Sequence, residues 1–218
     1  MFEILSNINV IFYILAYLCG GIPFGLILCK VFFGINLREI GSGSIGATNV
    51  YRAIKEVDSK KAKFFSILTI ILDATKGLFV VALAKIFGLS YDTQWMIAVL
   101  SVIGHCYSPF LNFSGGKGVA TSIGSVFLLI PIEGSLGLLV WFFVGKVFKI
   151  SSLSSLSGVL SGLVLTFIIP YILPLPQNIN IIKQIHSHAP VVLIGILILY
   201  THIPNIIRLL KREEKKIF

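Results

Sequence analysis

The sequence predicts an all-α integral membrane protein: one polytopic domain over residues 1–218 with seven transmembrane helices, the N-terminus outside and the C-terminus cytoplasmic. Three observations predict it. Of 218 residues, 56% are hydrophobic and 12% charged, with a mean hydropathy of +0.95, whereas soluble domains carry roughly 45–50% apolar and about 25% charged residues. The apolar residues lie in runs long enough to cross a hydrocarbon core about 30 Å thick. Under this topology 15 of the 18 Lys and Arg residues fall on the inner side, as the positive-inside rule requires. A soluble domain, a disordered chain and a collagen-like repeat are excluded by the same numbers.

The runs occur at 8–33, 64–88, 93–113, 117–131, 134–148, 152–174 and 189–210. The first follows no basic n-region, so it is expected to be a membrane span and not a cleaved signal. The fourth and fifth are divided by Pro131-Ile132-Glu133-Gly134 and are only about 15 residues each, short for a span, so five or six crossings are the alternatives. Lys30 through Lys63, Lys117, Lys146, Lys149 and the basic residues from Arg208 to Lys216 lie inside; Lys85 and Lys183 lie outside, and Lys76 lies within a span. Cys19, Cys29 and Cys106 sit in apolar segments, an odd count that argues for buried thiols and against a disulfide framework. No internal repeat joins the two halves, so an inverted-repeat transporter is not supported.

In so apolar a chain the polar residues carry the information, and they collect on the inner side. The loop 41–52, Gly-Ser-Gly-Ser-Ile-Gly-Ala-Thr-Asn-Val-Tyr-Arg, contains GxGxxG. A span precedes it, not the strand of a dinucleotide-binding βαβ unit, and Ala47 stands where a P-loop has Lys. What survives is the physical content of such a loop: glycines that let N–H groups converge on an anion, with Ser42, Thr48, Asn49 and Arg52 as further donors. A flexible turn is the competing reading. In Gly115-Gly116-Lys117-Gly118, between two spans, main-chain N–H groups and the Lys117 ammonium can meet one phosphate-sized anion, unless Lys117 only snorkels to the interface. His105, taken alone, reads more readily as packing than as catalysis. The serines around Ser152 open the sixth span. His202, Asn205 and Arg208, spaced by three, share a helical stripe and point to a polar site, with a snorkelling arginine and a capping asparagine as the alternative. Asp73 and Lys76, also three apart, form either a functional ion pair or a structural brace.

The absences narrow the chemistry. No two of the nine acidic residues have a spacing suited to Mg²⁺, and none of the four histidines has Asp five positions later. A metal-dependent phosphotransferase and a His–Asp acyltransferase site are therefore disfavoured, as is a Ser-His-Asp triad. The competing class is a transporter or scaffold for anionic solutes. It would need a polar path through the membrane, but the outer half holds little beyond Lys85, Asp92, Glu133 and the loop 177–188.

Three separated motifs, Gly41 to Asn49 with Arg52, Gly104-His105 through Phe113 to Thr121, and His202-x-x-Asn205-Ile206-x-Arg208-Leu209, together resemble the bacterial acyl-phosphate:glycerol-3-phosphate acyltransferase family, PlsY. Asp73-x-x-Lys76-Gly77 and Ser152-Leu153-x-Ser155-Leu156 extend the likeness over nearly the whole chain. The resemblance implies a seven-helix enzyme of the bacterial plasma membrane, with its site facing the cytoplasm. It would transfer a fatty acyl group from acyl phosphate to the 1-hydroxyl of glycerol 3-phosphate, the first step of phospholipid biosynthesis, releasing lysophosphatidate and phosphate. By position, His202 and Asn205 would be catalytic; Ser42, Thr48, Asn49, Arg52, Gly115, Gly116, Lys117, Ser152 and Arg208 would bind substrate. No metal, cofactor, nucleic acid or obligate protein partner is called for, only the two substrates and the bilayer. Ser44 and Ser114 depart from the family, which usually has Asn and Lys there, and the family usually has Gly near Arg212; Ser44 is given no side-chain role, and the lost charge at Ser114 is expected to be tolerated.

Overall fold

The structure, a computed structural model, describes residues 7–216. Its helices are α1 (Ile8–Gly21), α2 (Phe24–Phe33), α3 (Ala47–Lys55), α4 (Ser59–Ile86), α5 (Tyr91–Cys106), α6 (Val119–Phe127), α7 (Pro131–Phe148), α8 (Ser151–Thr166), α9 (Ile169–Ile172), α10 (Ile181–Ile185), α11 (Ala189–Thr201) and α12 (Ile203–Leu210). No strand occurs among the described residues. Residues 1–6, part of the stretch on which the uncleaved-span expectation rests, lie outside the described residues.

Helix occupies every apolar run. By length and composition α4, α7 and the stretch Ser151–Ile172 are each sufficient to cross a bilayer; counting the bent pairs α1–α2 and α11–α12 as single spans brings the number to five. The remaining two runs form α5, of 16 residues, and α6, of nine. Pro23 interrupts the first pair, which bends by 42°. Pro204 stands in the first turn of α12, and α11–α12 bends by 61°. Proline lacks an N–H and clashes with the carbonyl four residues back, which is why both breaks sit where they do. The stripe expected from His202 to Arg208 is therefore corrected: His202 is the junction between two helices, and only Asn205 and Arg208 share one.

The longest helix, α4, starts where the Asp58 carboxylate accepts from the N–H groups of Lys60 and Lys61 at 3.1 and 3.0 Å, an N-cap that satisfies two otherwise orphan donors. Its buried face runs Ala62, Phe65, Thr69, Asp73, Lys76, Val80 and Ala84 at helical spacing. Helices meet through small residues, as helices surrounded by lipid commonly do. A Cβ on Gly20 would fall 2.1 Å from the Ser101 carbonyl oxygen, on Gly104 2.1 Å from that of Tyr17, and on Gly124 1.9 Å from that of Ala74. These contacts draw α1 against α5 and α6 against α4, around a core that includes Ala16, Val80, Val81, Trp95 and Ala98. A second core, with Leu28, Val50, Ile54 and Phe65, seats α3 against α2 and α4. Leu139, Phe142, Phe143 and Val147 on α7 are exposed and form a lipid-facing side.

Candidate active site

One end of the bundle collects the N-termini of α3, α6 and α8, the end of α5 and the α11–α12 break around a cavity of about 180 Å³. It is lined by Ser42, Thr48, Asn49, Arg52, Lys117, Ser152, His202, Asn205 and Arg208, which brings together nine of the eleven residues singled out in the sequence. Gly115 and Gly116 lie behind this wall, and Asp73, His105, Trp141 and Glu214 join it.

The 41–52 segment is half loop and half helix, because α3 begins at Ala47. Asn49 is almost fully buried, and its amide nitrogen donates to the carbonyls of Leu37, Ile40 and Ser44 at 3.1, 2.9 and 2.9 Å while its oxygen accepts from the Ser42 N–H at 3.2 Å. Both of its amide hydrogens are engaged by these backbone carbonyls, so Asn49 shapes the site instead of offering it a free donor. Gly41 has φ +60°, and a Cβ there would lie 2.4 Å from Asn49 Oδ1, so this turn requires glycine on both counts. Ser44 contributes its carbonyl to Asn49, in keeping with its having no assigned side-chain role. Gly46 gives α3 no side-chain cap, leaving first-turn N–H groups beside the cavity wall that Ala47 and Thr48 form. Thr48 and Ser151 hydroxyls pair at 2.7 Å, joining α3 to α8.

The Gly115–Gly118 turn corrects a second expectation. The N–H groups of Gly115 and Gly116 donate to the carbonyls of Cys106 and His105, each at 3.0 Å, and are not directed at an anion. Their missing side chains allow a close approach: a Cβ on Gly115 would lie 2.1 Å from the His105 carbonyl oxygen, and one on Gly116 2.2 Å from His105 Nε2. The two glycines dock the turn on the end of α5, and Lys117 projects from it. Behind the turn, Lys76 Nζ contacts Asp73 Oδ1 at 2.8 Å, His105 Nδ1 at 2.9 Å and the Ile22 carbonyl at 2.8 Å. An ammonium has no acceptor capacity, so His105 Nδ1 accepts and Nε2 carries the ring proton. This buried pair thus ties α4 to the α1–α2 break and to the His105 ring on which Gly116 rests.

Lys117 donates to Asn205 Oδ1, and the Asn205 amide donates to Glu214 Oε1 at 2.7 Å. Ser152 donates to the same oxygen at 2.9 Å, and Arg208 Nε to Oε2 at 2.6 Å. Glu214 was not singled out in the sequence, where it is one of two acids near the C-terminus; a carboxylate six residues after an arginine that ends a helix was the available signal. Burial works against its ionisation, but the hydrogen bonds from Arg208, Asn205 and Ser152 outweigh that and hold its carboxyl below the usual range. The chain returns to the cavity because Arg212, with φ +60°, turns after α12 while its N–H donates to the Leu209 carbonyl and that of Glu213 to Arg208. A non-glycine residue thus holds a left-handed turn that glycine adopts without steric cost.

Burial lowers the Lys117 ammonium to about 8; Glu214 works against that shift, and the Arg208 and Arg52 charges add to it. His202 Nδ1 lies 2.8 Å from the Ile198 carbonyl. A carbonyl can only accept, so Nδ1 carries the proton and Nε2 of the neutral ring is an unprotonated acceptor. The wall thus offers three cations, a neutral imidazole and an amide held in one orientation by Lys117 and Glu214. Such a set can hold a dianion and position a hydroxyl. Cys29 and Cys106 are buried thiols and Cys19 is half-buried.

The family model described as glycerol-3-phosphate acyltransferase matches residues 10–212. The chain belongs to this family. It is 68% identical over 213 residues to a glycerol-3-phosphate acyltransferase of Helicobacter hepaticus, covering 98% of this chain and 95% of that protein. A glycerol-3-phosphate acyltransferase of Helicobacter pylori is 56% identical over 213 residues, with 98% and 96% covered. The fold of this chain is similar to crystal structures of PlsY, an integral membrane glycerol 3-phosphate acyltransferase. The glycerol 3-phosphate form gives a TM-score of 0.78 at 33% identity, and the lysophosphatidic acid form 0.75 at 35%, each covering 95% of this chain and 94% of the other. The all-helical, membrane-embedded architecture is therefore that of the glycerol-3-phosphate acyltransferases, and the residues lining the cationic cavity lie within the matched region, Glu214 excepted.

Proposed function

We propose that the chain transfers a fatty acyl group from acyl phosphate to the 1-hydroxyl of glycerol 3-phosphate, releasing lysophosphatidate and inorganic phosphate, at a site facing the cytoplasm of the bacterial plasma membrane. The observation that carries this reading is the convergence of Arg52, Lys117 and Arg208 with the acceptor nitrogen of His202 around one cavity at the basic end of the helices. Glycerol 3-phosphate and lysophosphatidic acid, the molecules named with the similar PlsY structures, are the substrate and product this reaction requires. Arg52, Lys117 and Arg208 neutralise the phosphates of donor and acceptor. The substrate hydroxyl oxygen forms the new bond to the acyl carbon while the carbon–oxygen bond to phosphate breaks and its electron pair leaves on phosphate. The hydroxyl proton passes to a phosphate oxygen of the donor or to His202 Nε2. Asn205, locked between Lys117 and Glu214, orients the reacting groups. An acyl phosphate carries its own good leaving group, so positioning and charge neutralisation suffice and no enzyme nucleophile is needed.

The test is an assay of purified protein with palmitoyl phosphate or palmitoyl-CoA and glycerol 3-phosphate, together with mass spectrometry after mixing with donor alone. Phosphate release with the first donor, little turnover of the second and no acyl adduct are expected. Equal use of the two donors, or a stable acyl-enzyme, would overturn the reading.

A further inference from the structure

The serines that open α8 have different partners. Ser154 Oγ donates back to the Ile150 carbonyl at 2.8 Å. Ser152 donates to Glu214 Oε1 at 2.9 Å, on the side of the cavity that the C-terminal segment closes. Ser151 Oγ lies 2.7 Å from Thr48 Oγ1 on α3, and both residues line the cavity and are only partly buried. Thr48 Oγ1 makes no other hydrogen bond among the described residues, and the start of α3 is itself fixed, because Ser66 Oγ on α4 donates to the Ala47 carbonyl at 3.0 Å. A hydroxyl has one hydrogen and two lone pairs, so the Thr48–Ser151 pair has two arrangements. When Thr48 donates to Ser151, only lone pairs of Thr48 are left for the cavity, and they repel an anion. When Ser151 donates, the Thr48 hydrogen is free for a ligand, and a hydroxyl that accepts a hydrogen bond is the stronger donor for it. Ionised phosphate oxygens are acceptors, so a phosphate in the cavity selects the second arrangement.

We infer that Ser151 is a positioning residue: its hydroxyl donates to Thr48 and so aims the Thr48 hydrogen at a substrate phosphate. The inference rests on the acyltransferase reading above, in which both substrates carry a phosphate. Ser151 acts through Thr48 and not by touching the reacting atoms, and the first turn of α8 serves both sides of the cavity, Ser151 toward α3 and Ser152 toward Glu214.

The experiment is steady-state kinetics of the purified protein with palmitoyl phosphate and glycerol 3-phosphate varied in turn, together with thermal midpoints. Ser151→Ala should raise KM about three- to tenfold for the one substrate whose phosphate Thr48 holds, the effect of one weakened hydrogen bond, while KM for the other substrate and kcat stay within about twofold, as for binding lost equally from ground and transition states. Ser151→Thr keeps a hydroxyl and should restore the wild-type KM. Thr48→Val should raise the same KM, and Ser151→Ala added to it should raise that KM no further, because no hydroxyl remains to orient. A simple brace between α3 and α8 gives a different result: a lower thermal midpoint with both KM values unmoved or moved together. That result overturns the inference, as do a fully additive double variant and a Ser151→Thr protein that behaves like Ser151→Ala. Failure of the donor reading is separately visible: a wild type that uses palmitoyl-CoA and not palmitoyl phosphate contradicts that reading, while KM for glycerol 3-phosphate and for the working donor still tests Ser151.

Discussion

Lys117 separates a binding cation from one that merely reaches the interface. Its ammonium is half-buried, bonded to Asn205 and faced by Glu214, Arg208 and Arg52, whereas Lys183 is exposed and its ammonium donates to the Leu175 carbonyl. Lys117→Ala should remove a charge-assisted contact of about 1.5–3 kcal/mol, one to two decades in kcat/KM for glycerol 3-phosphate; Lys183→Ala should do nothing, and equal effects would return Lys117 to a snorkelling role. The same residue fixes a pH dependence. With a pKa of about 8 in the free enzyme, it is charged below that pH and neutral above, so kcat/KM for an anionic substrate should fall as pH rises through 8. Lys117→Arg keeps its charge and should remove that limb, while Glu214→Gln withdraws the anion that holds the lysine charged and should move the limb to lower pH. At this scale the sequence was informative about residue type but not about partners. Arg52, Lys117, Arg208 and His202 could be recognised because polar groups are conspicuous in an apolar chain, but nothing in the sequence order reveals that Asn49 commits its amide donors to nearby backbone carbonyls or that Glu214 folds back on Asn205.

At the scale of elements, two glycine motifs that look alike in sequence act through different physics. In the first, Gly41 answers to backbone conformation and to contact with Asn49, but Gly46 has an ordinary φ of −79° and a Cβ there would find only Ser44 Oγ at 3.8 Å. In the second, Gly115 and Gly116 answer to close approach, with the turn pressed onto His105 and the Asp73–Lys76 pair behind it. Gly116→Ala should therefore push the turn off α5 and displace Lys117, at a cost of about 1–3 kcal/mol in stability and roughly a hundredfold in kcat/KM if the ammonium moves by about 1 Å. Gly46→Ala should cost about 1 kcal/mol or less, as a change of N-cap residue. Thermal midpoints and steady-state kinetics of the two variants check this, and similar losses at both positions would refute the distinction. A pattern such as GxGxxG specifies neither cause, because only the backbone that passes each glycine decides which applies. The breaks at Pro23 and Pro204 fall inside the runs 8–33 and 189–210, which hydropathy alone reads as continuous, so neither they nor the 61° turn that makes His202 a junction was anticipated.

For the whole molecule, the helical membrane class followed from composition alone, since no other arrangement satisfies backbone polar groups over such runs in lipid except a closed barrel, whose strands would show alternation. The crossings were harder to count, because α6 is short, α5 is of intermediate length, and the bundle interior and not the lipid covers much of their surface. Charge placement supplies a test independent of that count. Lys55, at the end of α3 beside the cationic cavity, and Lys183, on α10 at the opposite end, are both exposed, so each can be replaced by cysteine without disturbing packing. The native thiols offer little background, with Cys29 and Cys106 buried and Cys19 partly so. If the basic end is cytoplasmic, a membrane-impermeant maleimide should label Lys183→Cys in intact cells and Lys55→Cys only after permeabilisation. The reverse pattern would place the phosphate site outside, away from any cytoplasmic supply of glycerol 3-phosphate, and would overturn the topology together with the direction from which both substrates are drawn. Labelling of both positions in intact cells would overturn it as well, because an odd number of crossings separates α3 from α10 only if the helices between them traverse the bilayer.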